Sequence, residues 1–380
     1  MLLAQLFLIG FIICTIIQLA FWWGLFSRLA FFKTPVKSGL TADTQVTKEE
    51  IPVSIIICAR NEAENLAKFL PRILSQNYRL YEVIVVNDNS TDTTEDILIQ
   101  HTINCPYLRI IHIHNKYEYD SQVGKKRVLA EGINSARHNV LLLTDADCEV
   151  ASENWLREMQ GSMQGDKQIV LGFSPYIRYP GCLNLFIRYE TIYTAVQYFS
   201  FALAKMPYMG VGRNLAYHKR LFELAGGFKK HEHIASGDDD LFINQVSTPQ
   251  NVNINIDPDT FVFSEPKRSW KAYFGQKARH MTTGREYQTK HKILLGLLST
   301  SHFGHYLFGG LVLMAQGSAN VVIILYIIRM LSLIILYGKI LKKLRDPSML
   351  IWIPILDAAF VLFYLVFAPF LMTGKRNQWT

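Results

Sequence analysis

Three groups of acidic residues in this chain have the types and spacing to do chemistry. Asn87-Asp88-Asn89-Ser90-Thr91-Asp92 follows one apolar run, Asp145-Ala146-Asp147 follows another, and Asp238-Asp239-Asp240 stands after Gly237. Aspartates two apart at a strand end offer the oxygen ligands that a hard divalent cation takes. A nucleoside diphosphate needs such a cation to offset its charge. A lone Asp-x-Asp recurs by chance, but here two acidic turns each end a hydrophobic run. There are plainer readings as well: Asp88, Asn89 and Ser90 are ordinary turn formers, and three aspartates also suit a helix amino end.

Histidine and cysteine offer less. His112 and His114 alternate along one run and His231 and His233 are two apart, with no third ligand near either pair. The five cysteines are odd in number and form no Cys-x-x-Cys. That argues against a disulfide framework and a structural zinc site, and fits a reducing compartment. Cys148, beside the Asp-x-Asp, reads as a small core residue.

Strands must position the acidic turns. Residues 53–58, 82–86, 108–113 and 140–144 are mostly unbroken apolar runs, which predicts strands buried on both faces of a parallel sheet. Helices are predicted over 62–74, 93–100 and 126–136. The β-α-β order predicts an α/β fold with an open, doubly wound, mostly parallel sheet. Such sheets bind ligands at the carboxyl ends of their strands, which is where both acidic turns lie. Lys125, Lys126 and Arg127 open the third helix and are compatible with a solvated face as well as with a phosphate contact.

With these motifs in view, the sequence from about Val53 to Arg285 resembles the inverting family 2 glycosyltransferases, whose fold is of the GT-A type. Ser54 to Leu66 (SIIICARNEAENL, with Arg60 and Glu62) looks like that family's first nucleotide-binding turn, and Val85 to Asp92 like its second. The resemblance implies that Asp88 holds base or ribose, that Lys125 of the Gly-Lys segment reaches a phosphate, that Asp147 ligates Mg2+ or Mn2+, and that Asp145 assists around sugar and phosphates. Gly210 to Phe228 looks like the segment near the acceptor. Ser236 to Val246 resembles the catalytic acidic motif, which implies Asp239 as the general base, with Asp238 as the alternative. Gln276-Lys277-Ala278-Arg279-His280 is similar to the family's QxxRW. Arg279 is then expected near the pyrophosphate, and His280, where the family has Trp, leaves the acceptor open.

The ends of the chain are apolar. Half of the 380 residues are hydrophobic and 18% are charged, fewer than the roughly 25% of a soluble domain. Residues 2–25 are long enough to cross a bilayer, which takes about 20 residues. A signal peptide is disfavoured, because no basic start precedes this stretch and no small-x-small site follows it. Arg28, Lys33 and Lys37 come next, so the positive-inside rule puts the following domain in the cytoplasm, at a cell inner membrane. Stretches 293–315, 319–338 and 351–372 are further candidate spans, around a basic loop at 339–345. Lys375 and Arg376 fall on the wrong side for three spans, so one of the three is allowed to lie in the interface. Arg329 and Asp357 sit inside predicted spans and are candidates to pair. The net charge of +8 comes without a run of five basic residues or a nucleic-acid motif, so no nucleic acid is expected as a partner.

The expected organisation is an anchor at 1–27, a linker at 28–50 (polar from 39), a cytoplasmic glycosyltransferase domain at 51–290, a membrane region at 291–374 and a tail at 375–380. Three functions fit this organisation. The first is transfer of one sugar from a nucleotide-sugar, UDP-linked by the resemblance, to a lipid-linked or glycan acceptor. The second is a processive polysaccharide synthase. The third is a non-catalytic nucleotide-sugar-binding scaffold, which the full set of acidic residues disfavours.

Overall fold

The computed structural model describes residues 2–33, 50–113, 124–234 and 236–373. Most of the linker, Lys37, His114 and the basic tail residues Lys375 and Arg376 lie outside the described residues. Nine strands form among the described residues: β1 Val53–Ala59, β2 Tyr81–Asp88, β3 Leu108–Ile113, β4 Val140–Asp145, β5 Cys148–Val150, β6 Ile169–Gly172, β7 Leu215–His218, β8 Val252–Asn255 and β9 Val262–Ser264. Seven make one sheet in the order β3-β2-β1-β4-β7-β6-β8, and β5 pairs with β9 in a separate ribbon. Every strand of the large sheet runs parallel to its neighbours except β7, which is antiparallel to both β4 and β6.

The unbroken apolar runs are buried on both faces, as their pattern predicts. Ile55, Ile57, Val83, Val85 and Leu142 face a core shared with α3 (Ala63–Leu74), α4 (Thr94–Thr102) and α6 (Trp155–Gly161). Ile56, Ile84, Val86, Leu141 and Leu143 face the other way, toward α5 (Gly124–Ser135) and α7 (Cys182–Leu203). Shorter helices α8 (Lys219–Leu224) and α9 (Asp240–Val246) lead to α10 (Trp270–Met281).

The second core runs on into the apolar helices. α1 (Leu2–Ala20) continues through a π-helical turn at Phe21–Phe26 into α2 (Ser27–Ala30). Near the other end lie α11 (Thr289–Met314), α12 (Ala319–Lys343) and α13 (Ile353–Thr373). Three helices among the described residues are long and apolar enough to cross a membrane: Leu2–Ala30, Ala319–Lys343 and Pro347–Phe367. α11 has the length but carries His302, His305 and Ser301, all turned inward and buried, while Ile293, Leu297, Leu307 and Leu313 are exposed. Arg329 and Asp357 do pair, with Arg329 Nη1 donating to Asp357 Oδ2 at 2.6 Å. α7 joins the two regions: Tyr189 and Tyr193 pack edge-on against Phe360 of α13, and Arg188 forms an ion pair with Asp346 after α12.

Candidate active site

The site is assembled on the carboxyl edge of the sheet. The β1 and β2 turns are laced together. Asn61 N donates to Ser90 Oγ at 2.9 Å, and Thr91 N donates to Asn61 Oδ1 at 2.8 Å. Asn61 and Asn89 both adopt positive φ, 54° and 49°, a conformation asparagine tolerates better than most residues. These turns set Arg60 beside Asp88, Nη1 to Oδ2 3.9 Å. Burial and the nearby Asp147 and Asp145 raise the Glu62 carboxyl above its ordinary range, against a hydrogen bond from Asn65.

From the end of β4, Asp145, Asp147 and Cys148 bring ligand atoms within 4.8 Å of one another. Lys125 Nζ reaches Asp145 Oδ1 at 2.8 Å and Asp238 Oδ2 at 3.5 Å. Burial raises the Asp147 carboxyl and the neighbouring Asp145 raises it further. Burial also pushes the Cys148 thiol well up, keeping it protonated, and its Sγ lies 3.4 Å from Asp147 Oδ1 as a donor. The donor set is therefore two carboxylates, one of them beside Lys125, with a neutral thiol behind them. It fits a hard cation that completes its shell with diphosphate oxygens and water, and it does not fit a thiolate-bound soft metal. Among the described residues neither His112 nor the pair His231 and His233 joins such a group.

The acidic triplet opens α9 after Gly237, whose φ is +95° and whose missing Cβ would lie 2.5 Å from Leu241 Cδ1. Its three carboxylates have different partners. Asp240 is buried and its Oδ2 accepts from Tyr287 and Thr283, which commits it to structure. Asp238 faces Lys125. Asp239 accepts from Gly212 N at Oδ2 and from Asp240 N at Oδ1, both at 2.7 Å. Burial, then Asp238 and Asp240, push its carboxyl up to about 7, against the Gly212 bond and Lys125.

α10 closes the crevice. Gln276, Arg279 and His280 are three and four residues apart and so share one helix face. Ser236 Oγ donates to the Arg279 carbonyl at 3.3 Å, which ties α10 to the loop before Asp238. His280 is open to solvent, yet desolvation among crowded neighbours, then Lys277, Arg279, Arg213 and Lys125, hold its imidazole neutral. Lys277, which no motif singled out, pairs with Glu190 of α7.

The two lysines of the basic triplet are not a solvated face, whereas Arg127 is exposed. Lys125 lies between two aspartates, and Lys126 is 2% exposed, its Nζ donating to the carbonyls of His231 and Ile234. One residue of the crevice is not singled out by the sequence reading, which gives only the segment around it, Gly210 to Phe228, as near the acceptor. Arg213 precedes β7, and because β7 is antiparallel its amino end lies at the carboxyl edge of its neighbours. The available signal was Gly212-Arg213-Asn214 before a short apolar run. It becomes legible once that run is known to reverse direction.

A mostly parallel sheet with one reversed strand, carrying an Asp-x-Asp at its carboxyl edge, defines the GT-A type of α/β domain. Residues 54–204 match the model of Glycosyl transferase family 2, so the chain carries a family 2 glycosyltransferase domain. It is 30% identical over 141 residues to glycosyltransferase AglE of Haloferax volcanii, 37% of this chain and 44% of that protein. It is 22% identical over 192 residues to poly-beta-1,6-N-acetyl-D-glucosamine synthase of Staphylococcus aureus, 47% of this chain and 45% of that protein. The match thus spans under half the length of either relative. The solved mannosyltransferase PcManGT of Pyrobaculum calidifontis, in complex with GDP-Man and Mn2+, shares the fold at a TM-score of 0.57 and 18% identity, over 95% of this chain and 99% of that one.

Proposed function

We propose that the chain is an inverting, metal-dependent glycosyltransferase that moves one sugar from a nucleotide-sugar, UDP-linked by preference, to a lipid-linked or glycan acceptor at the cytoplasmic face of a cell inner membrane. The observation that carries this reading is Asp239. Burial and its acidic neighbours push its carboxyl up to about 7, and Lys125 joins the adjacent Asp238 to Asp145. A general base works best when its pKa lies near the operating pH, and its two neighbours in the triplet are otherwise engaged.

In this mechanism Arg60, Glu62 and Asp88 receive the nucleoside, and Lys125 binds a phosphate while holding Asp145 and Asp238 apart. Asp147, assisted by Asp145, holds Mg2+ or Mn2+, which when bound supplies Lewis-acid stabilisation to the departing diphosphate. Asp239 takes the proton of the acceptor hydroxyl. The acceptor oxygen bonds to the anomeric carbon from the face opposite the leaving nucleotide, which inverts it. Arg279 and Gln276 flank the diphosphate side, and His280, neutral and open, meets the acceptor. Apolar helices packed onto the domain through α7 favour an acceptor delivered from lipid.

Nucleotide release from purified protein in lipid, across UDP- and GDP-sugars with Mn2+ or Mg2+, tests the reading. Release that prefers one donor and stops with EDTA supports it; binding without release for any donor and acceptor would favour the scaffold. The likeness to a polysaccharide synthase makes polymer formation the second reading, and sizing the products decides between the two.

A further inference from the structure

One cation in the crevice has donors without partners. The Arg213 guanidinium lies over the Tyr176 ring, Cζ 4.5 Å from its centroid. Nη2 gives one long bond, 3.4 Å, to the Ser174 carbonyl. Nη1 is buried and meets no hydrogen-bond partner. Asp147 and Asp145 are near enough to act on its charge, but among the described residues no carboxylate forms an ion pair with it. The lysines around it are engaged: Lys125 with Asp145 and Asp238, Lys126 with two carbonyls, Lys277 with Glu190. Leaving a buried charged donor unmatched is costly. A stacked guanidinium in a fixed plane is, however, well suited to oxyanions, which it meets with its fork of N–H groups.

We infer that Arg213 Nη1 receives an oxygen of the donor's diphosphate, between Tyr176 and the Asp145–Asp147 pair, and takes up the charge of the leaving nucleotide. The inference rests on the nucleotide-sugar reading above and adds to it a donor-side role for a residue of the segment expected near the acceptor. As the bond from the anomeric carbon to the β-phosphate oxygen breaks, its electron pair stays on that oxygen. Arg213 stabilises that charge without moving a proton, since guanidinium does not titrate in this range. Asn214 fixes the geometry. Its Nδ2 donates to the Phe173 and Thr260 carbonyls, and its Oδ1 accepts from Trp155 Nε1.

The test compares nucleotides with and without a β-phosphate. The full chain in lipid, with Mn2+, is titrated calorimetrically with UDP, GDP, UMP and GMP. Arg213→Met should weaken whichever diphosphate binds by roughly 10- to 100-fold, the worth of a charged hydrogen bond, and change the matching monophosphate by less than about threefold. Arg213→Lys, which keeps the charge but loses the fork, should fall between. An unchanged diphosphate affinity, or equal losses for mono- and diphosphate, overturns the inference. If Arg213→Met lacks the melting transition of the unaltered protein, the same contrast is read on Arg213→Lys. Failure of the unaltered protein to bind either diphosphate would sink the nucleotide-sugar reading, and this inference with it.

Discussion

The proposed base, Asp239, also caps α9 and accepts from Gly212 N and Asp240 N, and its raised carboxyl gives it two opposite signatures. Its protonated form is favoured in the fold, so the active, ionised form grows as pH rises through about 7. kcat/KM should therefore climb across that window and level off above it. Asp239→Asn should lower turnover by about 10²- to 10⁴-fold, the usual worth of general base catalysis, and leave nucleotide affinity near that of the unaltered enzyme. Stability runs the other way. A carboxyl whose folded pKa lies above its unfolded one binds more protons folded than unfolded between those values, so stability falls as pH rises from about 4 to 7. The Asn variant, which carries no charge, should melt higher than the unaltered chain at pH 8 and not at pH 4. If Asp238→Asn removed turnover and Asp239→Asn did not, the base would be Asp238. The pair proposed to bind the cation has its own check: Asp147→Asn should abolish any Mn2+ dependence of nucleotide binding, measured with and without EDTA, whereas Asp145→Asn should also release Lys125.

At the scale of elements, the crevice depends on one short reversed strand. Asn214 opens β7 by bonding three buried groups from three different segments. Space there is tight, since a Cβ on Gly172 would lie 2.4 Å from the Asn214 side chain. Asn214→Ala strands an indole N–H and two carbonyls, and should cost roughly 3–9 kcal/mol at about 1–3 kcal/mol for each unsatisfied group, seen as a lower melting temperature. It should also loosen Arg213 and weaken nucleoside diphosphate binding. The same strand marks the boundary of what the sequence reveals. β1 to β4 and their acidic turns are legible because unbroken β-branched runs have few other homes than a buried parallel sheet. β7 is four residues long, and its direction is a tertiary fact, so the strand-end rule that found Asp88 and Asp147 passes over Arg213. α7 was missed for a related reason. Its 22 residues mix Tyr, Phe, Arg and Glu, and its nearly all-round burial comes from packing between the sheet and the apolar helices rather than from a stripe of its own. Lys126 looked like surface because nothing in a run of Lys-Lys-Arg tells that the 231–234 loop comes to rest on its ammonium.

At the scale of the molecule, the apolar helices form one body with the catalytic domain, and a buried polar network holds them together. Asp357 of α13 accepts from Arg329 of α12 and Tyr306 of α11, and His302 Nε2 lies 3.2 Å away. Arg329 also donates to Gln18 of α1, which donates in turn to Ser301 Oγ and the Leu298 carbonyl. Residues from four helices thus meet at a single ion pair, although Gln18 and Arg329 are 311 positions apart in sequence. The first helix is therefore part of the bundle core as well as an apolar span. Removing one partner of a buried pair leaves an uncompensated charge, worth about 3–5 kcal/mol, while replacing both by apolar residues can be nearly neutral. Arg329→Met and Asp357→Leu should each lower the melting temperature in detergent, and the double variant should recover most of the loss. Additive losses in the double variant would mean that the two residues act separately and that the helices are held by packing alone. The network should matter for catalysis too, because α7 rests on the same bundle through Phe360, one turn from Asp357. The destabilised single variants should therefore lose turnover in proportion to the fraction unfolded, and the double variant should regain both.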